Sequence, residues 1–245
     1  MNDYLETPSG RRIAYVRTQG KGPGIVFLGG FKSDMSGTKA VHLEAWAKEH
    51  GHAFLRFDYS GHGGSSETFE EGCIGDWAED AFQAITTLTD GSQVLVGSSM
   101  GGWISLLMAR RMPERVAALV TIAAAPDFTE RGFWAGFSED YRQVLTRDGR
   151  LELPSDYADQ PYVITRRLIE DGRYQQVMNQ PLDLPFPTRF LQGTADKDVP
   201  MQWALDLLDH ATSPDMRLTL VKGADHRFST PECLDLVTET IRSLP

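Results

Sequence analysis

Cysteine is nearly absent from this chain of 245 residues: Cys73 and Cys233 are the only two. Their separation fits neither a zinc-ligand pair nor a redox C-x-x-C, so a disulfide framework, a structural zinc site and dithiol chemistry all drop out. Positive charge is also scarce. Lys and Arg number 24 against 34 Asp and Glu, for a formal net charge of −10, and no basic cluster interrupts the acidity. That balance argues against a nucleic-acid backbone or an anionic membrane surface as partner. Long apolar runs are missing too. The longest, "VAALVTIAAA" at 116–125, falls well short of the ~20 residues that span a bilayer. The first residues, "MNDYLETPSGRR", hold no apolar core and do not read as a secretory signal. The expectation is a cytoplasmic protein without a membrane span. Repeats and low-complexity tracts are lacking as well.

What is present is a regular alternation. "YLETPSGRRIAYVRTQG" reads as a hairpin about the turn signal Pro8-Ser9-Gly10. Short apolar runs follow at 24–30, 52–59, 92–98, 116–124, 187–193 and 216–223, each closed by Gly, Asp or Pro. Such runs suit strands buried on both faces of a parallel sheet. Helical patterns at 37–50, 74–88 and 201–211 fill gaps between them. Strand, helix, strand in repetition predicts an α/β fold: a mostly parallel, doubly wound sheet with helices on both faces. One interval breaks the rhythm, because about sixty residues separate the runs ending at 124 and starting at 187, far more than the ~10–12 a crossover requires. Residues 126–185 therefore read as an inserted helical lid over the carboxyl ends of the strands, with 1–125 and 186–245 as the core. Helices are expected within it over 129–146 and 162–178.

The stretch "SQVLVGSSMGGW" (92–103) ends a strand on two serines among glycines. A Gly-x-Ser-x-Gly pattern alone means little in a chain with 23 glycines. A nucleophile elbow, however, needs small residues two before and two after the nucleophile. Gly97 and Gly101 frame Ser99, whereas Val96 and Met100 frame Ser98, so Ser99 is the candidate. A serine hydroxyl needs a base, and the base an orienting acid, expected in the order Ser, Asp/Glu, His after successive strands. Of six histidines, His42, His50, His52, His62 and His210 lie before Ser99 or inside a helix and read as surface or loop residues; only His226 follows the last strand. In "LQGTADKDVP" the acid is Asp196, which lies immediately after the strand, while Asp198 adjoins the helix start as a cap. Asp127 is a weaker rival, and Asp58 reads as an acceptor of loop backbone hydrogen bonds. The backbone N–H groups of Phe31 and Met100 are the expected oxyanion donors. Two carboxylates without further oxygen ligands make a poor cation site, so no metal and no cofactor is expected. In "ERGFWAGFSEDYRQVL", Phe133, Phe137 and Tyr141 recur every fourth residue with Trp134 beside them. This face either seals the lid on the core or roofs an acyl pocket.

"VGSSMGGW", "LQGTADKDVP" and "GADHRF", in this order, resemble the serine hydrolases of the α/β-hydrolase superfamily. "GFKSDMSGTKA" (30–40) and "RFDYSGHGGSS" (56–66), with "GSSMGGW", are similar more narrowly to the family of mitochondrial palmitoyl-protein thioesterases, also known as mycophenolic acid acyl-glucuronide esterases. The similarity covers roughly 24–122 and 186–228 and fades across the lid. It implies the α/β-hydrolase fold, Ser99 as nucleophile, Asp196 as acid, His226 as base, and hydrolysis of acyl esters or thioesters, S-acylated proteins among them. Two alternatives stay open: a carbon–carbon bond hydrolase or perhydrolase using the same three residues, and a small-ligand receptor on the same fold with little turnover.

Overall fold

The chain begins with β1 (Asp3–Glu6) and β2 (Arg12–Thr18), an antiparallel hairpin turned by Gly10 at φ +82°. In this computed structural model, residues 2–153 and 161–244 are described. The hairpin is followed by β3 (Lys21–Leu28), α1 (Thr38–His50), β4 (His52–Phe57), α2 (Ile74–Leu88), β5 (Gln93–Ser98), α3 (Met100–Arg111) and β6 (Val116–Ile122). After a long segment with its own small elements come β10 (Thr188–Gly193), α6 (Met201–His210), β12 (Met216–Val221) and α7 (Pro231–Arg242). Eight strands form one sheet in the order β1-β2-β4-β3-β5-β6-β10-β12. It is parallel from β4 onward, with β2 antiparallel at the β4 edge.

Alternate residues of the central strands enter two separate cores, which is why each run reads as continuously apolar. Val26, Leu28, Leu95 and Leu119 face Trp77 of α2 and Trp103 of α3. Ile25, Phe27, Val96 and Val120 face Leu43 and Trp46 of α1 and Val237 of α7. Helices therefore cover both sheet faces, and all six apolar runs form strands within two or three residues of their expected limits.

The segment between β6 and β10 departs from expectation. Its start is tied to its end by Asp127, whose carboxylate accepts the Val177 and Met178 amides at 2.9 and 3.0 Å. The single helix expected over 129–146 is two pieces. A π-helical turn, Thr129–Trp134, runs on to Gly136, the chain breaks at Phe137-Ser138, and α4 (Glu139–Asp148) starts where the Ser138 hydroxyl accepts the Tyr141 amide. Gly132 and Gly136 weaken the first piece, and a serine followed by two acids is a helix start. The expected helix over 162–178 is also shorter. "YVIT" forms β8 (Tyr162–Thr165), paired antiparallel with β7 (Arg150–Leu153), and only Arg166–Tyr174 is helical, as α5. β-branched residues meeting a pairing partner outweigh the helical periodicity here. Residues 154–160, part of the expected lid, lie outside the described residues. A two-residue parallel bridge joins β9 (Leu182–Asp183) to β11 (Ala211–Thr212).

Candidate active site

β5 is buried at every residue and ends on Ser98. Ser99 then turns the chain into α3 with φ +55° and ψ −118°, a conformation that costs a non-glycine residue energy unless its surroundings over-determine it. They do. The Ser99 amide donates to Ile122 O (2.9 Å), and its carbonyl accepts the Gly102 and Ala125 amides (2.9 and 3.1 Å). A Cβ on Gly97 would lie 2.3 Å from Gly101 O, and one on Gly101 would lie 2.0 Å from Leu28 O. No larger residue fits either position without moving the strand or the helix. Val96 and Met100, which frame Ser98, are wholly buried.

The Ser99 hydroxyl lies 3.1 Å from His226 Nε2, and His226 Nδ1 lies 2.9 Å from Asp196 Oδ2. A carboxylate accepts, so the network assigns the proton to Nδ1 and leaves Nε2 to accept the hydroxyl proton. The three residues follow β5, β10 and β12 at their carboxyl ends, where open α/β sheets bind ligands. Burial works to raise the Asp196 carboxyl pKa. Hydrogen bonds from His226, the Val199 amide and Gln192 outweigh it and hold the group below the ordinary aspartate value. Gln192, wholly buried, reaches Asp196 Oδ2 at 3.0 Å and was missed in the sequence because strand residues are read as packing.

Asp198 is not the helix cap it was expected to be. The cap residue of α6 is Pro200, and it is Asp196 Oδ1 that accepts the Asp198 and Val199 amides, each at 2.9 Å. Asp58 accepts the Met35 and Gly64 amides (2.6 and 2.8 Å), as expected of a loop aspartate. Asp196, Asp198 and His226 offer ligand atoms within 4.8 Å of one another. The Asp196 oxygens are already engaged by four donors, so a cation there would have to displace them.

The loop after β3 lies against the serine: a Cβ on Gly30 would be 3.4 Å from Ser99 Cβ. Phe31 follows in that loop. Met100 is the first residue of α3, so its amide has no partner within the helix. Phe31 borders a cavity of about 460 Å³ that contains Ser99 and His226 and is walled by Phe128, Phe133, Tyr162 and Trp203. Lys39 also borders it, with burial lowering its pKa to about 8. Of the aromatic face read from the sequence, Phe133 lines the cavity, whereas Trp134, Phe137 and Tyr141 are not among its lining residues. Phe137 is buried in the core on the Trp77–Trp103 side of the sheet, stacked on Phe133 at 6.0 Å. Trp134 faces the guanidinium groups of Arg142 and Arg173 (5.3 and 4.8 Å), and Tyr141 is 43% exposed. The Phe133, Phe137 and Tyr141 rings stay in consecutive contact across the break at Phe137-Ser138 (6.0 and 6.2 Å), and it is the Phe133 end of this row that lines the cavity. The walls that do form come from positions far apart in the sequence, and no local spacing marks them.

The family described as alpha/beta hydrolase fold matches residues 28–168. The chain belongs to the α/β-hydrolase family. Among similar proteins of this family is the rat protein named palmitoyl-protein thioesterase ABHD10, mitochondrial, 36% identical over 98% of this chain and 81% of its own length. A crystal structure described as a hydrolase from Agrobacterium vitis S4 superposes with TM-score 0.95 at 38% identity, covering 99% of this chain and 98% of its own. Mouse alpha/beta hydrolase domain-containing protein 10 superposes with TM-score 0.91 at 34% identity, covering 99% and 97%.

These relatives correct one expectation. The cytoplasmic assignment does not stand, because the rat and human relatives are both named mitochondrial. It rested on the lack of an apolar leader, which speaks to secretion alone; mitochondrial addresses are amphipathic and rich in Arg and Ser. None of the described helices is long and apolar enough to cross a membrane.

Proposed function

We propose that this chain hydrolyses acyl esters or thioesters through a covalent acyl group on Ser99. The observation that carries the reading is the hydrogen-bonded series from Ser99 through His226 to Asp196. His226 Nε2 takes the hydroxyl proton as Ser99 Oγ attacks the carbonyl carbon. Asp196 holds the resulting imidazolium in place. The oxygen of the tetrahedral intermediate accepts hydrogen bonds from the Phe31 and Met100 amides, and the helix N-terminus adds a favourable dipole. Collapse expels the alcohol or thiol, which receives the proton from Nε2. Water then gives a proton to Nε2 and attacks the acyl carbon, and the acid leaves as Ser99 regains its hydrogen.

Residues 126–185 act as the lid in this reading, with Phe128, Phe133 and Tyr162 as the acyl wall above a core formed by 1–125 and 186–245. The aromatic lining of the cavity and the printed names of the thioesterase relatives support an apolar acyl group. The test pairs a fluorophosphonate probe with palmitoyl-cysteine peptide, acyl glucuronide and p-nitrophenyl ester substrates. Labelling at Ser99 with steady turnover of at least one acyl substrate is expected. A probe adduct elsewhere, or labelling without turnover of any ester or thioester, refutes the proposal.

A further inference from the structure

The motif "GHGG" (61–64) has no part in the chemistry above, yet His62 is only 4% exposed. Its ring packs edge-on against Tyr59, Phe69 and Trp77, with centroids 5.7, 5.2 and 5.1 Å away. Nε2 accepts the Lys32 backbone N–H at 3.2 Å, and Nδ1 lies 3.1 Å from Ser60 O. A backbone amide can only donate and a carbonyl can only accept, so Nδ1 carries the proton and the ring is neutral. Burial reinforces this by pushing the His62 pKa down to about 4.

The turn that presents the ring is itself rigid. Gly63 has φ +47°, and a Cβ there would lie 2.2 Å from Asp58 Oδ2. Asp58 in turn holds the Gly64 and Met35 amides, clamping the two loops together. Lys32 sits at φ +57°, a left-handed conformation that a lysine keeps only when something holds it. Its amide is the group His62 holds, and the residue before it is Phe31. The Phe31 ring meets Phe69 and Trp77, two of the three rings that grip His62.

We propose that His62 is a positioning residue: by accepting the Lys32 amide it fixes the loop after β3 so that the Phe31 N–H aims at the oxyanion site beside Ser99. This rests on the reading of the Phe31 amide as an oxyanion donor. His62 touches no reacting atom and acts through Lys32. Without the acceptor, Lys32 is free to leave the left-handed region, and the peptide carrying the Phe31 N–H swings with it. An oxyanion forms only after attack, so the loss falls on the transition state and spares substrate binding.

His62→Phe keeps an aromatic ring in the nest and deletes the acceptor, whereas His62→Gln carries an amide oxygen to the place of Nε2. The readouts are kcat and KM on a p-nitrophenyl ester, and inhibition by a trifluoromethyl ketone, whose adduct with serine is an oxyanion. H62F is expected to lower kcat about 10- to 100-fold with KM within about twofold, and to weaken the ketone by the same factor. H62Q is expected to recover kcat to within about threefold of the wild type. If H62F does not fold, H62N replaces it, because its amide is too short to reach Lys32. Unchanged kcat and ketone affinity in the variant lacking the acceptor overturns the proposal. So does equal damage in H62Q with kcat and KM moving together, the pattern of plain structural support. Wild-type protein that neither turns over esters nor is labelled at Ser99 overturns the reading of the site itself, and this proposal with it.

Discussion

The strands that present Ser99 and Asp196 differ in kind from the segment that walls the cavity above them. β5 and β10 are buried at every residue and hydrogen-bonded to a strand on both sides. The segment between β6 and β10 has short elements: Leu145 is the one buried residue of α4, and Leu168, Ile169 and Gly172 are those of α5. Phe128, Ile164, Leu168, Ile169 and Val177 join it to the core, and part of its attachment is polar. Asp127 ties its ends, and Arg131–Asp206, Arg173–Glu130 and Arg167–Asp76 bridge its surface. Half-exposed ion pairs of this kind contribute about 0–1 kcal/mol each. Ser99 and Asp196 thus stand at the ends of fully buried, doubly paired strands, while most of the cavity wall comes from short elements. In the proposed hydrolysis, a geometry tolerant of little error and a wall that admits substrate call for these two different constructions.

The sharpest way to break the comparison is at Ser99. Ser99→Ala is expected to reduce kcat by about 10⁴-fold or more, and Ser98→Ala to retain most activity. Mass spectrometry of a fluorophosphonate adduct checks it, and a label on Ser98 would mean that the strained turn serves some other purpose.

Next in size is Asp196→Asn, expected to lower kcat by about 10³–10⁴-fold by offering His226 a donor and spoiling its tautomer. Asp198→Asn, whose side chain is not the α6 cap, is expected to stay within about twofold. Stopped assays on one chromogenic ester separate the two; a reversal of the pair would move the acid two residues along.

A smaller effect tests the wall. Phe133→Ala is expected to lower kcat/KM for octanoyl esters about 10-fold or more against acetyl esters, at up to ~0.8 kcal/mol per lost methylene contact. Phe137→Ala, away from the cavity, is expected to cost about 3 kcal/mol of stability, or roughly 6–12 °C of Tm. It should leave the ratio of the two esters unchanged. Chain-length selectivity that follows Phe137 instead would mean the wall rearranges when substrate is bound.

The smallest effect lies under the sheet's carboxyl ends. The pKa of His62 falls from 6.5 to about 4 on folding. Between those values the unfolded chain binds a proton that the native chain refuses, so stability declines as pH drops through pH 6.5 toward 4. The nearby Lys32 ammonium acts in the same direction as burial. Urea midpoints at pH 7 and pH 4.5 should therefore lie closer together in His62→Gln than in wild type. Equal separations would place the acid sensitivity on other groups.

How much was legible in the residues follows the same divide. The six apolar runs became strands because strands covered on both faces are apolar throughout, a signal that needs no knowledge of the partner. Gly97 and Gly101 pointed to Ser99 as a spacing; the contacts that exclude a side chain at Gly97 arise within one strand–turn–helix unit, whereas those at Gly101 come from Leu28 and Gly29 at the end of β3. Chain order after successive strands then singled out His226, which the fold brings within hydrogen-bond reach of the serine, and Asp196, which it brings within reach of His226. Periodicity failed over 129–146, where Ser138 starts a new helix; of the expected aromatic face, Phe133 lines the cavity and Trp134, Phe137 and Tyr141 do not.

Residue order was thus enough for what is settled locally: strand burial, the tight turn at Ser99, and the succession of its two partners. Three-dimensional packing was required for the rest. Phe128, Phe133 and Tyr162 of the segment, and Trp203 of α6, come to line one cavity with Ser99 only once the chain folds over the sheet. His62 looks like any loop histidine until Tyr59, Phe69 and Trp77 enclose it and Lys32 offers its amide. Local patterns report the face a residue turns toward the interior, and they carry no information about which distant residue will be waiting there.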